Sequence, residues 1–380
     1  MRQGNKLIAF TILVTLITSI QLCLLAQPKN VSYIDSIVPT ILKTSGIPGM
    51  AIVIVRNDSV LLSKGYGIRS IDSKTPVTNQ TIFGVGSLTK AMTATALAML
   101  VDSSIVSWDD RVKKHLPEFR LADPYVTENL EIQDVLSLRE GIPRGDTIAA
   151  RNMSAQQIIS RMAFLSPTMF RKSFGEAPNI MYLLAGQIVS AASGSTWDEF
   201  VKRRIFVPLQ MNSTSTKLSE TKTLRDLATP HIKRNEKVQT TEWRGFEHLA
   251  SAGAVNSNVD DLANWLRFNL SKGRFCGQIL VSEKALSETY RAHSILSPNY
   301  QSAFNQEAPF NAYGFGWVVS QYRNRTLLEH GGSVDGFGAV IAIIPEEQLG
   351  IVILSNLNFL AAIPHLRDLK FSILNQWLRK

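Results

Sequence analysis

Cysteine is nearly absent: Cys23 and Cys276 are the only two in 380 residues. That scarcity excludes a disulfide-stapled scaffold and a cysteine-rich zinc site. The six histidines, at 115, 231, 248, 293, 330 and 365, are scattered, with neither an H-E-x-x-H pair nor any other ligand spacing, so no metal is expected. Walker loops and dinucleotide fingerprints are missing, and no cofactor is implied. The G-x-S-x-G elbow is missing as well, which argues against an α/β-hydrolase. Internal repeats and Pro- or Gly-rich linkers are also lacking, so nothing cuts the chain into separate modules.

What is there suits a large folded core. Hydrophobic residues make up 45% and charged residues 19%, which points to one large domain or two intimately packed lobes. The net charge is +9. Its basic residues (Arg111, Lys113, Lys114; Lys202, Arg203, Arg204) are dispersed without interleaved aromatics, so a solvated surface is expected and nucleic acid is not. Arg2 and Lys6, the apolar run Leu7 to Leu25, and Ala26 have the layout of a secretory signal over residues 1–26. The run is also long enough for an uncleaved anchor, so periplasmic, secreted and membrane-anchored forms stay open, with membrane contact only if the segment is retained. Ile20-Gln21-Leu22 before Cys23 lacks the small residues of a lipidation site.

Periodicity divides the rest. Ile34, Ile37, Val38, Ile41 and Leu42 mark a helix ending near Gly46. Val- and Ile-rich runs 50–56 and 60–66, split by Asn57-Asp58, predict a hairpin. A second strand block lies at 314–320, 325–329, 337–344 and 350–354. Between the two blocks the pattern is mostly helical: 87–101, 132–138, 155–164, 181–192, 197–204 and 260–268. Positions 205–245 are the most polar and least periodic, expected to be a surface excursion. The chain closes on an amphipathic helix, 366–378. These blocks predict an α+β fold: an antiparallel sheet from N- and C-terminal strands with flanking helices, a mostly helical insertion, and a cleft between them. The expected division is a domain over 32–362 and a C-terminal helix within 363–380.

Ser87 falls at that boundary. An extended, Gly-punctuated lead-in (Thr81 to Gly86) runs into a helix carrying Leu88, Met92, Ala96 and Met99 on its apolar face. Lys90 lies about one turn on, where a neutral amine can take the serine proton. S-x-x-K is expected by chance roughly once or twice in a chain of this length. The second occurrence, Ser219 to Lys222, sits in a polar run with no such approach and reads as solvated loop. A plain helix-capping serine is the competing reading for Ser87.

His330-Gly331-Gly332 preceding a strand, taken with Ser87-x-x-Lys90, resembles the penicillin-recognising serine hydrolases: class C-type β-lactamases, D-Ala-D-Ala peptidases and related esterases. The likeness spans most of the chain through Gly46-Ile47-Pro48-Gly49, Val135-Leu136-Ser137 with Gly141-Ile142-Pro143, Ala252-Gly253 with Asp261-Leu262-Ala263, and Tyr313 to Trp317. It implies that Ser87 is acylated with Lys90 as proton partner, and that His330 lines the cleft opposite. It also implies that Gly331 and Gly332 let substrate approach, and that the N–H groups of Ser87 and Ser333 form an oxyanion hole worth roughly 3 kcal/mol per donor. The implied partner is a small-molecule or peptide acyl substrate: an ester, a D-Ala peptide amide or a β-lactam.

The chain departs from that family at its Tyr-x-Asn element. Counting back from Met181 to Gly186 places the element on Ala177-Pro178-Asn179, so the asparagine is kept and the tyrosine is missing. A lost acid-base commonly costs about 10² to 10⁴ in rate. Three readings stay open: a hydrolase using another acid-base, Tyr182 or Glu176; an enzyme that acylates but deacylates poorly; or a binding module without turnover. For Tyr182 the bland alternative is wall packing. The expected cleft walls are Leu138 to Thr147 and Phe246 to Ser251.

Overall fold

A computed structural model describes residues 29–142, 145–172, 178–296 and 304–378. The predicted leader, Glu176 and Ala177 lie outside the described residues.

Helix α1 (Lys29–Ser45) leads into the hairpin of β1 (Gly49–Arg56) and β2 (Ser59–Gly67). Its turn residues Asn57 and Asp58 have φ of +50° and +64°, two left-handed positions in succession, as a two-residue hairpin loop requires. Helices α2 (Thr89–Asp102), α3 (Asn179–Ser193) and α4 (Val259–Leu270) dominate the inserted region. The chain then returns to strands β3 (Ser294–Ile295), β4 (Ala312–Tyr313), β5 (Val318–Tyr322), β6 (Arg325–Val334), β7 (Phe337–Ile344) and β8 (Leu349–Ser355). It ends in α5 (Phe359–Trp377).

All eight strands form one antiparallel sheet, ordered β2-β1-β8-β7-β6-β5-β4-β3. N- and C-terminal strands meet inside it, at the second and third positions of the order, with Met50 opposite Ser355 and Arg56 opposite Leu349. Both faces are covered, which is why these strands read as continuous aliphatic runs. Ile52, Ile54, Ile351 and Ile353 pack in one core with residues of α1 and α5. Their neighbours Ala51, Val53, Val352 and Leu354 point the other way, into the core shared with α2, α3 and α4. Each large aliphatic side chain so buried is worth about 1.5–3 kcal/mol.

Helix α2 is enclosed on every side, with Thr89 through Leu100 all buried. Its run of Ala, Thr, Met and Leu suits that position, and Lys90 is its only charged residue before Asp102.

Two expectations need correcting. Positions 205–245 are not simply a surface excursion, because Ile205, Phe206, Leu209 and Met211 join the core that holds α2 and α3. Farther on, His231–Arg234 pairs with Lys237–Thr240 as a hairpin. His231 is fully buried, with Nδ1 2.9 Å from the Asn356 carbonyl oxygen. The last helix also starts earlier than position 363, at Phe359. Among the described residues no helix is long and apolar enough to cross a membrane.

Candidate active site

Ser87 sits on a single tight turn, Gly86–Leu88, that feeds α2. Gly86 has φ +54°, and a Cβ there would strike the backbone nitrogen of Ser333. Only glycine permits both the left-handed conformation and this approach. Gly332 repeats the device from the opposite side, where a Cβ would meet the Val85 carbonyl oxygen. The serine turn and strand β6 are thus pressed together, backbone to backbone. Among the described residues, strand β6 has no strand partner on its β5 side beyond Glu329, while Leu328 to Val334 continue to pair with β7. An unpaired stretch of strand therefore runs beside Ser87.

Lys90 is buried to 3% exposure, and its Nζ lies within hydrogen-bond distance of three oxygens: Ser87 Oγ at 2.8 Å, Asn179 Oδ1 at 2.6 Å and the Ala252 carbonyl at 3.2 Å. Burial pushes its amine down to about 7, against an opposing pull from Asp146. A neutral amine has two N–H groups and one lone pair. Asn179 Oδ1 and the Ala252 carbonyl can only accept, so they take the two N–H groups and leave the lone pair facing the Ser87 hydroxyl. Such an arrangement is suited to take a proton from a serine hydroxyl.

Asn179 opens α3, and its amide is held by Asp146 on the turn Gly145–Ile148. Nδ2 donates to Asp146 Oδ2 at 2.8 Å, and the backbone N–H donates to Oδ1 at 2.7 Å. That pairing turns Oδ1 toward the lysine. The Ile180 N–H adds a 3.3 Å bond to Asp146 Oδ1. Pro178, at the helix's own cap position, has no side-chain acceptor, so Asp146 caps α3 from another segment.

His330, Gly331, Gly332 and Ser333 all lie on β6. His330 is 9% exposed, with Nδ1 2.6 Å from the Gly331 carbonyl oxygen and Nε2 3.0 Å from the Tyr313 hydroxyl. The carbonyl accepts only, so Nδ1 bears the hydrogen and Nε2 accepts from Tyr313. Burial, reinforced by Lys90, pushes the imidazole down to about 3. It is neutral and committed at both nitrogens, which differs from a ring presented freely to the cleft.

Tyr182 is fully buried, and its hydroxyl donates to the Leu136 carbonyl at 2.8 Å. Lys90 Nζ faces the ring, 5.5 Å from its centroid. Burial, with Tyr313 as a neighbour, raises the phenol far above its ordinary value. The lysine meets an aromatic face while the phenol oxygen is bound elsewhere, so the bland reading of wall packing fits.

Of the two expected walls, the one that opens at Phe246 has a residue near the serine turn. A Cβ on Gly253 would lie 2.9 Å from Phe246 Cδ1 and 3.7 Å from the Gly86 carbonyl carbon, so the Phe246 ring stands beside the serine turn. His248 packs edge-on against it, with ring centroids 5.0 Å apart. Across the mouth, Arg151 bonds the Gly245 carbonyl and Asp335 Oδ1. The second S-x-x-K sequence is remote from this geometry in character: Ser219 and Lys222 are exposed, on and just after a short helix (Leu218–Thr221) rather than in the loop expected.

Three participants escaped sequence reasoning. Asp146 lay within the predicted wall but was not singled out, and Tyr313 lay within a quoted motif without a role. The third is Glu140, a fully buried carboxyl without a hydrogen-bond partner among the described residues. Burial pushes it up to about 8; nearby backbone N–H groups of Glu140 and Ile142 oppose this and Asp134 adds to it. No sequence signal marks a glutamate for burial. Among the described residues no three His, Cys, Asp or Glu side chains gather as a metal site.

Comparison with known proteins places this geometry in a wider set. A family profile described as Beta-lactamase matches residues 34–370. Protein flp of Staphylococcus aureus is 28% identical over 332 residues, covering 86% of this chain and 63% of flp. Unguisins hydrolase ungD of Aspergillus violaceofuscus is 27% identical over 343 residues, covering 84% of this chain and 60% of its own length. The chain thus spans less than two thirds of these curated relatives. Among solved structures, a class C beta-lactamase superposes with a TM-score of 0.77 at 19% identity, covering 93% of this chain and 97% of that one. The octameric penicillin-binding protein homologue from Pyrococcus abyssi gives 0.75 at 24% identity, covering 91% and 77%. These two likenesses concern the fold.

Proposed function

The chain belongs to the Beta-lactamase family, and from that premise we propose that it is a serine hydrolase working by acyl transfer through Ser87, on an ester, an amide or a β-lactam. The observation that carries the reading is the buried amine of Lys90, 2.8 Å from Ser87 Oγ, with its two hydrogens engaged by Asn179 and Ala252.

In the first half-reaction Lys90 takes the Ser87 proton as Oγ bonds to the substrate carbonyl carbon. The carbonyl oxygen becomes an oxyanion facing the N–H groups of Ser87 and Ser333, where each donor contributes roughly 3 kcal/mol. The carbon–leaving-group bond then breaks, and the departing amine or alkoxide takes the proton back from Lys90. In the second half-reaction Lys90 removes a proton from water, hydroxide attacks the ester carbonyl, and the proton returns to Ser87. The lysine serves both halves, because the tyrosine of the family element is replaced by Ala177.

A relative whose name is Unguisins hydrolase supports hydrolysis over mere binding. The missing tyrosine favours a second reading, an enzyme that acylates but deacylates poorly. Export belongs to the same proposal, supported by Arg2, Lys6 and the apolar run after them.

Intact-mass analysis after separate incubation with a fluorophosphonate and a penicillin tests the proposal. Wild type should gain one adduct and Ser87→Ala none. Labelling that persists in Ser87→Ala, or fails in wild type with both probes, overturns it. Release of nitrophenol from a short-chain ester beyond one equivalent separates turnover from a stalled acyl-enzyme.

A further inference from the structure

We propose that Asp146 is a positioning residue for the acyl-transfer reaction: it holds the Asn179 amide with its oxygen toward Lys90 and so aims the lysine amine at Ser87. The inference deepens the serine-hydrolase reading and rests on it.

An asparagine amide has two ends of similar shape, and either could face the lysine. With Nδ2 toward Lys90, the amide would donate to the amine's lone pair and take it from the Ser87 hydroxyl. Asp146 decides between the two orientations, because its carboxylate accepts both Asn179 Nδ2 (2.8 Å) and the Asn179 backbone N–H (2.7 Å). Only Oδ1 then remains for Lys90, at 2.6 Å. The carboxylate is itself fixed by the N-terminus of α3 through the Ile180 N–H. Side chain, amide, amine and hydroxyl form one line: Asp146, Asn179, Lys90, Ser87.

The same carboxylate sets the charge around the amine. Lys90 is faced by Asp146 from the Gly145–Ile148 turn, by the Tyr182 ring from α3, by the Ala252 carbonyl, and by neutral His330 from β6 with Tyr313 of β4 behind it. Asp146 is the acidic neighbour that opposes the effect of burial on Lys90. Asp146 in turn acts on His248 of the opposite wall, which also feels Arg151, Glu247 and Asp335. A carboxylate at this place keeps the amine basic enough to take a proton and aimed well enough to use it.

Asp146→Asn is the direct test, since an amide of the same size cannot accept with both ends. Two effects are expected in the rate of fluorophosphonate labelling measured across pH. The plateau should fall by about 10²-fold, the usual cost of a misaimed catalytic group. The acid limb should move to lower pH, because an amine without its anionic neighbour loses its proton sooner. Asn179→Ala should lower the plateau similarly, and the double variant should lose little more than Asn179→Ala alone, as expected of residues acting in series. An unmoved acid limb, or plateau losses that multiply, overturns the proposal.

Asp146→Ser removes the charge while keeping one capping oxygen, and replaces Asp146→Asn if that variant fails to fold. The Lys90 side-chain resonance, assigned with Lys90→Arg, is followed by NMR independently of turnover. Its titration midpoint should fall in the Asp146 variant, and an unchanged midpoint overturns the proposal. Absence of Ser87-dependent labelling in wild type sinks the hydrolase reading, whereas normal labelling in Asp146→Asn sinks only this one.

Discussion

The four residues from Ser87 to Lys90 and the four from Ser219 to Lys222 share one spacing and differ in everything around it. The first set lies where a glycine turn enters a fully enclosed helix, pressed against an unpaired stretch of strand. The second lies on a short surface helix, with both side chains exposed. Spacing alone brings an amine near a hydroxyl. Burial is what makes the amine a base, because only a desolvated lysine loses its proton near neutral pH. The Lys90 amine sits at about 7 for that reason. The proposed chemistry therefore depends on the two acceptors, Asn179 Oδ1 and the Ala252 carbonyl, and on the apolar enclosure, while the motif only marks the place.

The sharpest way to break this comparison is Lys90→Met. Labelling of Ser87 should fall by about 10² to 10⁴, and the wild-type rate should rise with pH through about 7 as the amine loses its proton. The same substitution reports on stability. Between about pH 7 and the ordinary lysine value of 10.5 the unfolded chain holds a proton that the folded chain does not, so wild-type stability rises with pH across that window. Lys90→Met lacks this dependence, and urea unfolding at pH 7 and pH 9 should show wild type gaining on the variant. A constant difference between the two would mean that the amine is not desolvated.

Gly86→Ala should have an intermediate effect. A methyl group at φ +54° costs about 1 kcal/mol in backbone strain, and here it also meets Ser333. Labelling should slow by roughly an order of magnitude, since a displaced reacting atom is costly. The melting temperature should drop with it, and a wild-type rate would show that the turn and strand do not need their close approach. The smallest effect belongs to Lys222→Ala: an exposed lysine of this kind contributes within about 0.5 kcal/mol to stability, and the labelling rate should match wild type. Any loss there would revive the second motif.

The two surroundings also explain what could be read in advance. The Val- and Ile-rich strands, the Asn57-Asp58 turn and the enclosed α2 are local patterns with local causes, and each could be read from the residues. Asn179 was legible by its spacing from Met181 to Gly186. The sequence pattern ends a strand at Glu329 and sets His330 before the next one, whereas β6 runs on through His330, Gly331 and Gly332; the bond of His330 to Tyr313 was not legible either, because it joins β6 to a strand reached through a different turn. Asp146 and Glu140 were hidden for a related reason. A carboxylate in a polar-looking stretch reads as solvated, and only the assembled fold reveals that one caps a distant helix while the other is shut inside the wall. The stretch 205–245 misled through its average polarity, since Ile205, Phe206, Leu209 and Met211 are few but all face inward.

The pairing of β1 with β8 has a consequence for how the molecule is made. Met50 waits for Ser355, and the strand that must lie against Gly86 begins only at Arg325. A growing chain that has already produced Ser87, Lys90 and Asn179 holds none of the strand against which the Gly86 turn is pressed. Contacts this far apart in sequence form late and slowly. A chain cut short before Leu349 leaves β1 paired with β2 alone, without the strand that joins the hairpin to the rest of the sheet.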